Sequence, residues 1–290
     1  MSYERYAAMT GPARAGAALW RTGLGLLLAI MAYVVLVTEF ASLVHSLSGP
    51  GGTLFAEFAG GSTPRGALLL LFSFALMPVA PLILARPMHL RSALSLLGPL
   101  RPALGDFLRV FRVLAILAAI LVLLPVDFAP VAALPPGRWL LLLPLTLIAV
   151  AVQAGAEEIV FRGYLQTQLA ARFAFPPIWL FLTALLFAYG HYAPAENGGN
   201  ALAFAGLAFA FGLAAGDLTA RAGNLGPAVA FHLVNNFLAI AVIALPGPLS
   251  GLALSTYPFA ADTEAVRPLI WVDLGAIGVS WLAARVALRL

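Results

Sequence analysis

Residues 139–163 read WLLLLPLTLIAVAVQAGAEEIVFRG, and this stretch decides how the whole chain is to be understood. Trp139 through Ala156 carry no charge, and an α-helix needs only about 20 mostly apolar residues to cross a hydrocarbon core. Glu157, Glu158 and Arg162 follow with no polar linker, and helical periodicity continues through Tyr164, Leu165 and Leu169 to Pro176. An ionised side chain at a membrane-helix centre costs roughly 2.5–3.5 kcal/mol on insertion scales. Such charges therefore face a cavity and carry function.

The rest of the chain repeats the apolar pattern. Besides 138–157, seven segments qualify as spans: about 19–38, 67–85, 107–126, 178–193, 201–216, 226–246 and 268–288. Breaks rich in Pro, Gly and Ser separate them, such as Ser48 to Gly52, Pro135 to Gly137, and Asn197 to Asn200. Hydrophobic residues make up 62% of the 290 positions and charged residues 10%, with a mean hydropathy of +0.98. A soluble chain carries about 25% charged residues, so that class is excluded, as is a disordered one. The expected fold is all-α: a polytopic membrane bundle of about eight transmembrane helices, with residues 1–290 forming one membrane domain. The longest connection, about 39–66, is too short and too glycine-rich for a folded domain. The first apolar run meets Thr38 and Glu39 instead of a small-residue cleavage site, so it reads as a retained span and not a signal peptide.

Every one of the 16 basic residues is arginine. Lysine Schiff-base chemistry and a P-loop lysine are thereby excluded. The arginines stand singly, not in the stripe a nucleic-acid surface needs, so no nucleic acid is expected as a partner. Cysteine is absent, which removes thiol nucleophiles and Cys-ligated zinc. With the amino terminus cytoplasmic, Arg5, Arg14, Arg21, Arg86, Arg91, Arg101, Arg109, Arg112, Arg172, Arg221, Arg285 and Arg289 fall on the inner side. Arg65, Arg138 and Arg267 fall outside, along with the acids Glu39, Glu57, Asp127, Glu196, Asp262 and Glu264. The positive-inside rule then places both termini in the cytoplasm.

Helix geometry separates the two intramembrane acids. Glu158 and Arg162 are four residues apart and share a face, so they can pair. Glu157 is turned about 100° away, with Phe161 at its own i+4 position. Of the four histidines, His191 ends the segment from Phe187 in the fifth span, and His232 lies in the seventh with Asn236 four residues on. Two intramembrane histidines, an asparagine and an unpaired glutamate are the parts for activating water and holding an oxyanion, or for binding a divalent metal. His45 and His89, among Ser, Gly and Arg, read as solvated. Asp217 and Arg221 read as a solvated loop pair, and Asp273 as an interfacial residue. Gly212 to Gly216 forms a GxxxG, which signals close helix packing. Pro78, Pro81 and Pro144 read as helix kinks.

No histidine is followed by glutamate, so a zincin helix is absent, and no Gly-x-Ser-x-Gly elbow occurs. What remains is water activated by glutamate and histidine, with or without a metal. Three motifs stand in order over about residues 150–245: Glu157-Glu158-x-x-x-Arg162 followed by Gly163-Tyr164-Leu165, then Phe187-x-x-x-His191, then His232-x-x-x-Asn236. In this the chain resembles the CPBP intramembrane proteases, which include type II CAAX prenyl endopeptidases and bacterial bacteriocin-processing relatives.

The resemblance implies an intramembrane endopeptidase in a bacterial plasma membrane, with a peptide or protein substrate, prenylated or not, and the lipid bilayer as partners. By analogy Glu157 and His191 would activate water, while His232 and Asn236 would stabilise the oxyanion. Glu158 and Arg162 would orient the site. Where a metal is used, zinc or another divalent ion, its ligands would be Glu157, His191 and His232; a metal-free glutamate mechanism is equally compatible. A small-solute transporter with the same polar cluster is a second reading, against which no inverted repeat is found. A non-catalytic scaffold of the same fold is a third.

Overall fold

The computed structural model describes residues 3–124 and 128–289; Asp127 lies outside them. Eight main helices run through the described residues: α1 Leu19–Ser48, α2 Pro64–Leu84, α3 Leu100–Val122, α4 Pro136–Arg172, α5 Pro176–Gly190, α6 Ala201–Ala222, α7 Gly226–Val242 and α8 Arg267–Ala287. Proline in the first turn starts α2, α4, α5, α7 and α8. There its fixed φ suits the helix and its missing N–H costs nothing. The interior Pro144 is carried without a break in α4, whereas α2 is interrupted just before Pro78 by a 3-10 turn, Phe74–Leu76.

The bundle is that of an integral membrane protein. By length and composition, five helices can cross a membrane: α1, α2, α4, α6 and α8, the last two counted with the turns leading into them from Pro194 and Glu264. Helices α5 and α7 are apolar but shorter. Helix α3 carries Arg101, Asp106, Arg109 and Arg112 in its first thirteen residues. By this length-and-composition criterion alone five helices qualify, fewer than the eight spans expected. Helix α1 runs ten residues past its expected end and takes in Glu39 and His45. Leu27, Ile30, Val34 and Val35 of α1 all stand exposed, and an apolar surface of that extent requires lipid.

Helix α6 is the hub, packing against α5, α7 and α8, while α7 also packs on α3 and α4. Phe187, Phe211, Leu218 and Phe231 fill the junction. A second core joins Tyr6 and Met9 of the amino-terminal segment to Leu96, Tyr164, Leu165 and Trp179. The expectation of pure α structure needs one addition. Strands β1 (Val131–Ala132), β2 (Ile243–Ala244) and β3 (Ser255–Thr256) form a small sheet in the order β1-β3-β2, antiparallel then parallel.

Charged pairs gather at the two ends of the bundle. Arg65 pairs with Glu57, and Arg267 with Glu264 and Asn200, at one end. Hydrogen bonds from Arg65, then from Thr53 and Thr63, hold the Glu57 carboxyl down at about 2. At the other end Arg109 pairs with Asp106, and Arg221 with Asp217. Asp217 corrects the sequence reading: it lies within α6, buried, and accepts from Arg221, Tyr3 and Trp281. Three donors from three elements let the helix continue past its charged end. Asp273 stands exposed on α8, and His45 is exposed with its ring edge-on to Phe55.

His89 is the second correction. Far from being solvated, it is fully buried, with Nε2 2.7 Å from the Tyr164 hydroxyl. The neighbouring Arg91 is also buried, donating to Thr167 Oγ1, Ser95 Oγ and the Ser95 carbonyl. Burial pushes the His89 imidazolium down to about 4 from an ordinary 6.5. A depressed histidine is neutral in the fold, so its contribution is complete above about pH 6.5 and is lost as pH falls toward 4. Thermal unfolding in detergent should show the melting temperature dropping across that window, with a flatter profile for His89→Gln. For topology, a cysteine at position 57 should react with an impermeant thiol reagent in intact cells, and one at position 101 only after disruption.

Candidate active site

Helix α4 changes pitch where its sequence turns polar. From Ile159 to Gln166 it adopts π geometry, wider than the α-helix on either side, a distortion that recurs at functional sites. Gly163 is required within it: a β-carbon there would stand 2.5 Å from the Leu96 carbonyl oxygen. Two polar side chains then reach α6 at matched spacing. Arg162 Nη2 donates to the Gly212 carbonyl at 3.2 Å, and Gln166 Nε2 to the Gly216 carbonyl at 3.0 Å. The GxxxG makes this approach possible, because a β-carbon at Gly216 would lie 2.7 Å from Gln166 Oε1, and one at Gly212 would lie 3.0 Å from Ala184.

The i,i+4 pair forms as expected. Arg162 Nη1 donates to Glu158 Oε1 at 2.9 Å, both side chains being wholly buried. The guanidinium lies over the Phe187 ring, 4.6 Å from its centroid, a geometry that stabilises a desolvated cation. Glu158 Oε1 also faces His232 Nδ1 at 2.8 Å. A carboxylate paired with arginine can only accept, so Nδ1 carries the proton and Nε2 is left for the other side of the ring. That side holds Glu157, whose Oε2 lies 3.6 Å from His232 Nε2. Glu157 thus lacks a cation, as its position in the sequence indicated, but faces an imidazole.

A parallel contact lies one helical turn away. Asn236 Nδ2 donates to Gln153 Oε1 at 2.8 Å, and Asn235 Nδ2 donates to Asn236 Oδ1 at 3.2 Å. Gln153 precedes Glu157 by four residues and is buried, so α4 and α7 face each other through two rungs, Gln153 with Asn236 and Glu157 with His232. Gln153 escaped the sequence reading. The available signal was a lone amide in an apolar run, on the face of Glu157.

His191 stands apart from these rungs. It lies at the end of α5, exposed, with Nδ1 2.8 Å from the Phe187 carbonyl. Phe187 links it to the cluster, its ring centroid 4.3 Å from that of His191 and 6.1 Å from that of His232. Among the described residues no three His, Asp or Glu side chains are grouped to hold a metal ion. Glu157, His191 and His232 are not gathered into such a group in this arrangement. Glu157 Oε2, Glu158 Oε2 and Arg162 Nε are buried with no hydrogen bond among the described residues. Unpaired polar atoms of this kind are uncommon in folded proteins, and a catalytic role is one explanation for them.

Residues 138–238, about a third of the chain, match the family model described as type II CAAX prenyl endopeptidase, Rce1-like. The match spans all three motifs and both rungs. This segment is similar to the CPBP family. It is a family of membrane proteases, and the matched segment begins with α4 and ends within α7. No curated protein and no solved structure matches the chain.

The two glutamates should differ in what they support. Glu158→Gln removes the charge that compensates Arg162, and breaking a buried ion pair costs about 3–5 kcal/mol. Thermal unfolding in detergent should show a clear loss of stability for Glu158→Gln and little change for Glu157→Gln.

Proposed function

We propose that the chain is an intramembrane endopeptidase in which Glu157 is the general base for attack of water on a peptide carbonyl. The observation that carries this reading is the placement of His232 between two glutamates with unequal duties. Glu158, neutralised by Arg162, fixes the tautomer and direction of the ring; Glu157, with no cation, faces Nε2 at 3.6 Å. Catalytic hydrogen bonds are often long before substrate binds.

In the proposed reaction Glu157 takes one proton from water as the water oxygen bonds to the carbonyl carbon. His191, whose Nε2 makes no hydrogen bond among the described residues, is the second acceptor that holds this water. The tetrahedral oxyanion receives the second Nδ2 hydrogen of Asn236, the first being held by Gln153. The carbon–nitrogen bond then breaks, and the proton held by Glu157 passes to the leaving amine, directly or through His232. The products are a carboxylic acid and an amine. Substrates are peptides of the CAAX type, prenylated or not. The arginine distribution supports a cytoplasmic location for both termini, and we take the membrane to be a bacterial plasma membrane.

The test is cleavage of a quenched peptide library, prenylated peptides included, by purified protein in detergent. Glu157→Gln keeps shape and hydrogen bonding but is a far weaker proton acceptor, and it should lower kcat by about 10²–10⁴. Asn236→Ala should lower kcat by about 10²–10³ with KM little changed. Gln153→Leu, which frees the Asn236 amide to turn, should cost about tenfold, the equivalent of one hydrogen bond to a neutral partner. Wild-type cleavage rates from a well-folded Glu157→Gln would refute the assignment of the base. A wild type that cleaves nothing would favour the scaffold reading.

A further inference from the structure

Away from the motif residues, a cavity of about 600 Å³ opens at the arginine-rich end of the bundle, where α3 begins and α6 hands over to α7. Arg5, Arg101 and Arg109 line it, together with Asp106, Gly223 and Asn224. Asp106 is the one acid among the described residues of its wall, and both of its oxygens are engaged. Oδ1 accepts from Arg109 Nη1 and Oδ2 from Asn224 Nδ2, each at 2.9 Å. Arg5 and Arg101 make no side-chain hydrogen bond or ion pair among the described residues, and both are exposed. The wall thus carries two uncompensated positive charges beside a neutralised pair. Its floor is firmly held: Asn224 is buried and its Oδ1 caps the Gly226 N–H at 3.0 Å.

Helix α3 supplies a second, independent feature. Asp106, Val110, Leu114 and Ala118 form its buried row. Two positions back, and so about 200° round the helix, Leu104, Leu108, Arg112, Ile116 and Ile120 form the opposite row. Leu104 is 62% exposed and Ile116 64% exposed. The cavity residues Arg101, Gly105 and Arg109 occupy the row between these two. A cationic hollow therefore adjoins an apolar track that leads away from it along the helix, with the exposed Arg112 partway down.

We propose that this cavity binds the phosphate headgroup of an anionic phospholipid, with the acyl chains laid over Leu104, Leu108, Ile116 and Ile120. Guanidinium groups match phosphate oxygens in geometry and charge. The volume falls within the range of small-molecule sites, and an apolar track serves a lipid but not a free anion. The site is independent of the proposed catalytic residues, so it stands or falls apart from that reading.

The experiment is titration of the detergent-purified full chain with dioleoyl phosphatidylglycerol, bound lipid being counted by native mass spectrometry. Dioleoyl phosphatidylcholine and inorganic phosphate are the comparison ligands, and melting temperature is followed in parallel. Phosphatidylglycerol should bind in preference to phosphatidylcholine and raise the melting temperature. The double variant R5Q/R101Q should bind it roughly 25-fold more weakly, about fivefold per arginine. Arg138→Gln, at the opposite end, should bind as wild type does. Leu104→Asn should weaken phosphatidylglycerol binding without altering any binding of inorganic phosphate. Unchanged affinity in R5Q/R101Q, or an equal loss in Arg138→Gln, would overturn the site. Inorganic phosphate binding as tightly as the lipid, with Leu104→Asn neutral, would show a free-anion pocket and overturn the lipid assignment. Should R5Q/R101Q not fold, the salt response of the wild type decides. Affinity must fall between about 50 and 300 mM NaCl if arginine–phosphate attraction holds the lipid, and a flat response would overturn the proposal.

Discussion

The buried guanidinium of Arg162 organises this molecule. Arg162 lies in the interior with no exposure, and taking such an ion out of water costs several kcal/mol unless its surroundings compensate. The compensation comes from four helices. Its own α4 supplies Glu158, α6 the Gly212 carbonyl, and α5 the face of Phe187. Helix α7 joins through His232, which shares the Glu158 oxygen that Arg162 holds. Each contact that offsets the desolvation also fixes a part of the site.

The two adjacent glutamates show how one residue step separates two duties. Glu158 holds a cation and an imidazole on one oxygen, Oε1, and works as a fixed charge. Glu157 points a third of a turn away, toward the other nitrogen of the same imidazole. A histidine whose two nitrogens face two differently compensated carboxylates is held in orientation on one side and free to exchange a proton on the other.

What the sequence made legible was local. The Glu158–Arg162 pair followed from a four-residue spacing, the helices from apolar runs, and the close α6 contact from two glycines. The unread features depend on partners distant in the chain. Gln153 gains meaning only from Asn236, 83 positions on. His89 looked solvated because it sits between Arg86 and Arg91; its burial comes from Tyr164, 75 positions away, and from the packing of the amino-terminal segment. Asp217 looked like the start of a loop because its three donors come from Arg221 nearby, Tyr3 and Trp281. Two-residue strands carry no periodicity at all, so the small sheet left no trace in the residue pattern.

The paired registers of α4 with α6 and of α4 with α7 bear on how this chain can vary in length. Arg162 and Gln166 meet Gly212 and Gly216, while Gln153 and Glu157 meet Asn236 and His232, all at four-residue intervals. One residue inserted or deleted inside any of these intervals turns everything beyond it by about 100° and parts donors from acceptors on two neighbouring helices together. Natural relatives should therefore tolerate insertions in the α1–α2 and α3–α4 connections, while the stretches 153–166, 212–216 and 232–236 keep a constant length even where their apolar residues change.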